Sequence, residues 1–126
     1  MRILLDSHVA LWWLDDSAAM GPQCRELISH ADEAFISAVT PWELGIKRAL
    51  GKLTMPEGLV DELESEGFVS LSITAVHAEL APALPPHHRD PFDRMLVAQA
   101  QLETLVLVTA DEALAGYDVE RFDARS

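Results

Sequence analysis

From Pro91 to Leu102 the chain reads Pro-Phe-Asp-Arg-Met-Leu-Val-Ala-Gln-Ala-Gln-Leu, and its apolar positions, Phe92, Met95, Leu96, Val97, Ala98, Ala100 and Leu102, leave a helix no broad polar face. A helix of this kind has to be covered on most sides, so it belongs inside a layered domain. Pro91 suits the first helical position, and Asp90 before it suits the cap. Two carboxylates, Asp90 and Asp93, therefore stand at the entrance of a buried element.

What covers that helix is written in the short apolar runs. Leu105-Val-Leu-Val-Thr109 has no polar interruption, and Ile3-Leu-Leu ends in Asp6. Brief continuous runs rich in branched residues read as strands buried on both faces, which is the habit of parallel sheets. Ala34–Val39, Phe68–Ile73 and Val119–Phe122 add further strand candidates, the last at an edge. Between them the spacing predicts helices over Ser7–Leu14, from Gly21-Pro22 to about Ala31, after Thr40-Pro41, over Met55–Gly67 and over Thr74–Ala81. Alternation of strand and helix predicts one α/β domain over 1–126, a three-layer α/β/α sandwich around a central, mostly parallel sheet. No internal repeat or linker divides it.

Composition narrows the setting. One cysteine, Cys24, excludes an internal disulfide framework and reads as a small core residue. No apolar run reaches membrane-spanning length and the first residues lack the order of a signal peptide, so a cytoplasmic protein away from membranes is expected. A formal charge of −12 is the opposite of the basic stripe of a nucleic-acid-binding module. A chain this acidic can handle nucleic acid only where divalent cations neutralise its local negative charge.

The acids fall in a pattern. Asp6 and Asp111 follow the ends of strands, while Glu43 and Asp93 open helices. In a parallel sheet, functional groups collect beyond the carboxyl ends of the strands, at the point where strand order reverses. All four can share that rim, where clustered carboxylates raise one another's pKa or hold cations. An all-carboxylate site suits Mg2+ or Mn2+, and such ions serve phosphoryl transfer by water without a protein nucleophile. Local readings stay open beside this one. Asp6, Asp90 and Asp111 can each be a helix cap, Thr40 a cap with Glu43 closing a capping box, and Glu43 an i,i+4 partner of Lys47. Lys47, Arg48 and Lys52 beside Glu43, with Arg89 and Arg94 beside Asp93, can grip phosphates or serve as ordinary helix ion pairs. His87-His88 lies in a proline-rich loop and is expected in solvent rather than on a metal; Trp12, Trp13 and Trp42 are expected in the core.

Taken together, Asp6 in Leu-Leu-Asp-Ser-His-Val-Ala-Leu-Trp-Trp-Leu, Glu43 in Ser-Ala-Val-Thr-Pro-Trp-Glu-Leu, Asp93 in Arg-Asp-Pro-Phe-Asp-Arg-Met-Leu-Val-Ala-Gln-Ala and Asp111 in Leu-Val-Thr-Ala-Asp resemble the acidic quartet of PIN domains. The likeness spans essentially the whole chain and is greatest to VapC-type toxins of type II toxin–antitoxin systems. The resemblance implies an Mg2+- or Mn2+-dependent endoribonuclease, a homodimer, and neutralisation by a cognate VapB-type antitoxin. It carries Asp6, Glu43, Asp93 and Asp111 over as catalytic metal ligands. Thr109 matches a hydroxyl position that supports such sites, Asp90 is an extra acid, and Ser7-His8 departs from the frequent Asp-Thr-Asn form, which leaves the polar partner of Asp6 open. Two other readings remain: an inactive PIN-like protein-binding module in which the acids only cap helices, and a metal-dependent phosphatase-type domain, although Asp6-Ser7-His8 lacks the second acid that one phosphatase class places there.

Overall fold

Five short strands pair side by side in the order β3-β2-β1-β4-β5, every pair parallel, in the computed structural model, which describes residues 1–126 throughout. In chain order the elements are β1 (Arg2–Leu5), α1 (Ser7–Leu14), α2 (Pro22–His30), β2 (Glu33–Ser37), α3 (Val39–Ala49), α4 (Leu59–Ser65), β3 (Val69–Leu71), α5 (Ala75–Ala83), α6 (Pro91–Glu103), β4 (Val106–Thr109), a 3₁₀ turn (Glu112–Leu114) and β5 (Arg121–Asp123).

Strand alternation sorts the apolar side chains into two cores. Ile3, Leu5, Ile36, Val106 and Val108 point to one face, where Val9, Cys24, Ile28, Leu59 and Leu63 of α1, α2 and α4 meet them. Leu4, Phe35, Leu105 and Leu107 point to the other, against Ala81 of α5 and Leu96, Val97 and Ala100 of α6. The expected three layers are present, and the sheet is wholly parallel.

Helix α6 has the predicted character, with Leu96 through Ala100 buried consecutively. Its one polar core residue, Gln99, donates to the Ser72 carbonyl and to His77 Nδ1, tying α6 to α5. Asp90 caps it by accepting the amides of Phe92 and Asp93 at 2.8 and 3.4 Å. Thr74 and His77 close a capping box on α5.

Several local expectations are corrected. Thr40 is not a cap: α3 begins at Val39 after Ala38, with Ser37 Oγ receiving the Val39 amide, so Glu43 sits inside the helix rather than in a capping box. Thr40 is drawn into the interior by a hydrogen bond to Ser7 Oγ at 3.0 Å. The α4 segment starts at Leu59 rather than Met55, because Gly58 takes the left-handed conformation (φ +66°) that ends the preceding turn. The strand foreseen over Phe68–Ile73 is trimmed to Val69–Leu71, an outermost strand paired on one side only. Trp42 is 61 % exposed, not a core residue.

Candidate functional site

Strand order jumps between β1 and β4, the neighbours from which the chain winds outward in the two directions. The crevice at their carboxyl ends is therefore the place where a parallel α/β sheet presents its functional groups. Asp6 follows β1 there, Thr109 ends β4, and Asp111 lies two residues beyond it. The Asp6 amide donates to the Val108 carbonyl, which fixes the acid against the next strand.

Asp6 is buried, and burial alone would raise its pKa; the His8 imidazole close by, the Thr109 hydroxyl and the His8 amide outweigh that and hold it below the ordinary carboxylate value. Thr109 Oγ1 donates to Asp6 Oδ2 at 2.7 Å and accepts the Asp111 amide at 3.0 Å, so one buried hydroxyl sets two acids in place. Asp111 also caps the 3₁₀ turn through the Ala113 amide. Asp6 likewise caps α1 through the His8 amide. Capping and convergence on the crevice are compatible, because a carboxylate has more lone pairs than one amide uses.

Glu43 and Asp93 arrive from α3 and α6. The Glu43 side chain is 3 % exposed; its Oε2 meets Lys47 Nζ at 2.9 Å, while Oε1 is buried with no hydrogen-bond partner. An orphaned buried carboxylate oxygen is costly. Asp93 is pushed up to about 7, first by burial and then by the charges of Asp6, Asp90 and Glu43, with His88 pulling the other way. Those influences place Asp6, Glu43, Asp90 and Asp93 in one electrostatic neighbourhood, which Asp111 joins through His88. Lys47 keeps its proton more firmly than usual: burial works against it, and Glu43, Asp90 and Asp93 prevail.

His88 overturns the expectation of a solvated pair. Its Nε2 lies 3.0 Å from both Asp93 Oδ2 and Asp111 Oδ2, and these three groups present ligand atoms within 4.8 Å of one another. The Asp90 amide donates to Nδ1, which leaves the ring proton on Nε2 between the two acids. His87, its neighbour, turns outward and lies edge-on to Tyr117. Two adjacent histidines cannot point the same way, so only one enters the site, and the residue pattern did not say which. The available signal was its position two residues before the Asp90 cap, where the chain must turn inward to begin α6.

The basic residues divide. Arg94 is not free for a phosphate: its guanidinium donates to the carbonyls of Pro82, Leu84, Pro85 and His88 and to the Tyr117 hydroxyl, locking the loop that carries His88. Lys47 is engaged with Glu43. Arg48, Lys52 and Arg89 are exposed. Ser7 is fully buried and bonded to Thr40, so it joins the starts of α1 and α3 rather than touching Asp6.

The residues fit a hard divalent cation. Oxygen donors dominate, Glu43 Oε1 is unpartnered, and the raised Asp93 marks a surplus of negative charge that a cation would neutralise.

Comparison with known proteins agrees with this architecture. The chain is 30 % identical to Ribonuclease VapC22 of Mycobacterium tuberculosis, over 91 % of each sequence. Its fold is similar to that of a toxin–antitoxin complex from Klebsiella pneumoniae (TM-score 0.68, 19 % identity, covering 97 % of each chain). It is similar also to VapBC2 of Rickettsia felis bound to a promoter DNA fragment (TM-score 0.69, 15 % identity, covering 97 % of this chain and 98 % of that one). The sequence model of the PIN domain matches residues 3–120, nearly the full length, and the chain belongs to the PIN domain family.

Proposed function

We propose that this protein is a metal-dependent endoribonuclease and the toxin of a toxin–antitoxin pair, with Asp6, Glu43, Asp93 and Asp111 as the acids that hold Mg2+ or Mn2+. The observation that carries this reading is the convergence of acids from β1, α3, α6 and β4 at the reversal of strand order, with one buried oxygen left without a partner. A bound divalent ion supplies an activated water and neutralises charge on the phosphate oxygens. The chain's own residues do the rest. Thr109 and the His8 amide orient Asp6, Lys47 fixes one oxygen of Glu43 so that the other faces inward, and Arg94 holds His88 against Asp93 and Asp111. His88, with its Nε2 proton between Asp93 and Asp111, positions both acids. Arg48, Lys52 and Arg89 are open to attract an RNA backbone.

An antitoxin partner is supported by the similarity to toxins solved with theirs, and by an uncovered apolar surface. Trp42 on α3 and Leu50 at its C-terminal cap are 61 % and 64 % exposed, and Trp42 stands edge-on to Phe92 beside a largely apolar groove of about 310 Å3. Exposed apolar area of that kind marks an interaction surface, for the antitoxin or for the second copy in a homodimer.

The test is RNA cleavage by purified protein in Mg2+, in Mn2+ and in EDTA. Cleavage with either ion, lost in EDTA and reduced at least about 100-fold in folded Asp6→Asn and Asp93→Asn, is the expected result. Retained cleavage in those variants defeats the assignment of the acids. A second reading, an inactive binding module, draws on the capping bonds of Asp6, Asp90 and Asp111. It leaves the unpartnered Glu43 oxygen and the raised Asp93 unaccounted for, and undiminished Mn2+ binding by the Asn variants would favour it.

A further inference from the structure

Beside the acid cluster lies a groove of about 250 Å3 whose lining includes Asp6, Asp111, His8, Trp12 and Arg125. We infer that this groove is a nucleobase-binding subsite next to the scissile phosphate, with Trp12 as the stacking surface and Arg125 as the grip on the adjoining phosphate.

The first support is the state of Arg125. In a chain with a net charge of −12 most strongly placed cations are spoken for: Arg2 pairs with Glu33, Arg25 with Asp16, Lys47 with Glu43, and Arg94 spends itself on loop carbonyls. Arg125 has no carboxylate partner. It donates from Nη1 to the Ala110 carbonyl at 3.2 Å, and its remaining donors are unused. A guanidinium held at that point, in a groove shared with two site acids, offsets their repulsion of a polyanion where the backbone must approach.

The second is aromatic. The Arg125 guanidinium carbon lies 5.7 Å from the centroid of the Trp12 ring, so cation and indole form one mixed platform. Aromatic rings and arginine planes are the surfaces on which unpaired bases stack, largely without regard to sequence. His8, with its side chain 53 % exposed, adds a second ring to the same groove. The third is size: the volume is below the roughly 300 to 1,000 Å3 of pockets that enclose drug-sized ligands, which suits one base and not a folded partner. Asp111 belongs both to this groove and to the His88 cluster, so an RNA strand passing the acids would meet Arg125 here.

This rests on the nuclease reading for what the groove adjoins, so the test separates the two. A short single-stranded 2′-O-methyl RNA is titrated, with Ca2+ in place of Mg2+, into the wild type, Trp12→Leu, Trp12→Phe and Arg125→Gln, and RNA cleavage is measured in parallel. Trp12→Leu and Arg125→Gln are expected to weaken binding about tenfold and to raise KM with kcat changed less than about twofold, while Trp12→Phe stays near wild type. Trp12→Leu removes no charge, so its effect reports stacking rather than general attraction. If packing lost at Trp12 unfolds that variant, exposed Arg125 still decides. Wild-type affinity and KM in Arg125→Gln overturn the subsite and leave the nuclease reading intact. Loss of binding in the variants of a protein that cleaves no RNA keeps the subsite and removes the nuclease. A wild type that binds no RNA removes the subsite.

Discussion

Asp93 is the residue on which the site's unfavourable electrostatics fall. Its pKa in the folded, metal-free protein is about 7, against 3.8 for a free carboxylate. In the unfolded chain it ionises first, so the stability associated with this group is complete below about pH 4 and is lost as pH rises toward 7. Thermal melts in EDTA should show Asp93→Asn about 1–2 kcal/mol more stable than wild type at pH 8 and no more stable at pH 4, while its cleavage is expected to fall at least about 100-fold. A variant that is destabilised at pH 8 would contradict the crowding of acids described above. Thr109 works in the opposite sense. Thr109→Val keeps the strand but strips Asp6 and the Asp111 amide of their shared partner; a loss of about 1–3 kcal/mol in urea unfolding is expected, with cleavage reduced about 10- to 100-fold and largely restored by Thr109→Ser. Residue roles of this kind were only half legible in the sequence. Asp6, Glu43, Asp93 and Asp111 stood out because each follows a strand or opens a helix. His88 and Arg94 did not, since whether a loop histidine faces inward depends on a guanidinium that bonds carbonyls several residues away.

At the scale of elements, α6 does two jobs at once: its body fills one core and its first turn carries the acids. The two can be separated by substitution. Leu96→Ala is expected to cost about 2–5 kcal/mol in unfolding free energy, since Leu96 is wholly buried. Asp90→Ala, which loses the cap, is expected to cost about 1 kcal/mol, and Asp90→Asn only a few tenths. If Asp90→Asn instead destroys cleavage with stability intact, Asp90 belongs with the proposed metal-binding acids rather than with the helix. Arg94→Lys keeps the charge but not the fork of bonds that holds the 85–90 loop; we expect kcat to fall about tenfold with KM little changed, because the defect lies in how His88 is set. Element type and order could be read directly, as in α6 and β4, where apolar continuity admits few alternatives. The beginnings of helices were harder. The start of α3 was misjudged because Thr40 satisfies the local rules for a cap while Ser7, thirty-three positions earlier, claims its hydroxyl. Local chemistry cannot register a competitor that only the tertiary fold brings near.

For the molecule as a whole, the last residues act as a clasp. Gly21 donates to the Ala124 carbonyl and Cys24 to that of Ser126, so the backbone of this segment supplies the cap that α2 lacks from any side chain. A Cβ on Gly21 would lie 1.9 Å from the Ser126 carbonyl oxygen. Gly21→Ala should therefore displace residues 124–126 and, with them, Arg125; a lowered Tm together with weaker RNA affinity is the expected pair of outcomes, and a folded variant with wild-type affinity would show that Arg125 does not depend on the clasp. No helix is long and apolar enough to cross a membrane.

The bond between Thr109 and Asp6 joins positions 103 residues apart, and the strands that bear them sit side by side at the middle of the sheet. Until β4 has left the ribosome the first strand has no neighbour on that side and the acids have nothing to converge upon. On the proposed function, a nascent chain is thus inert until β4 has emerged, which gives an antitoxin already present time to meet it before it can cut anything.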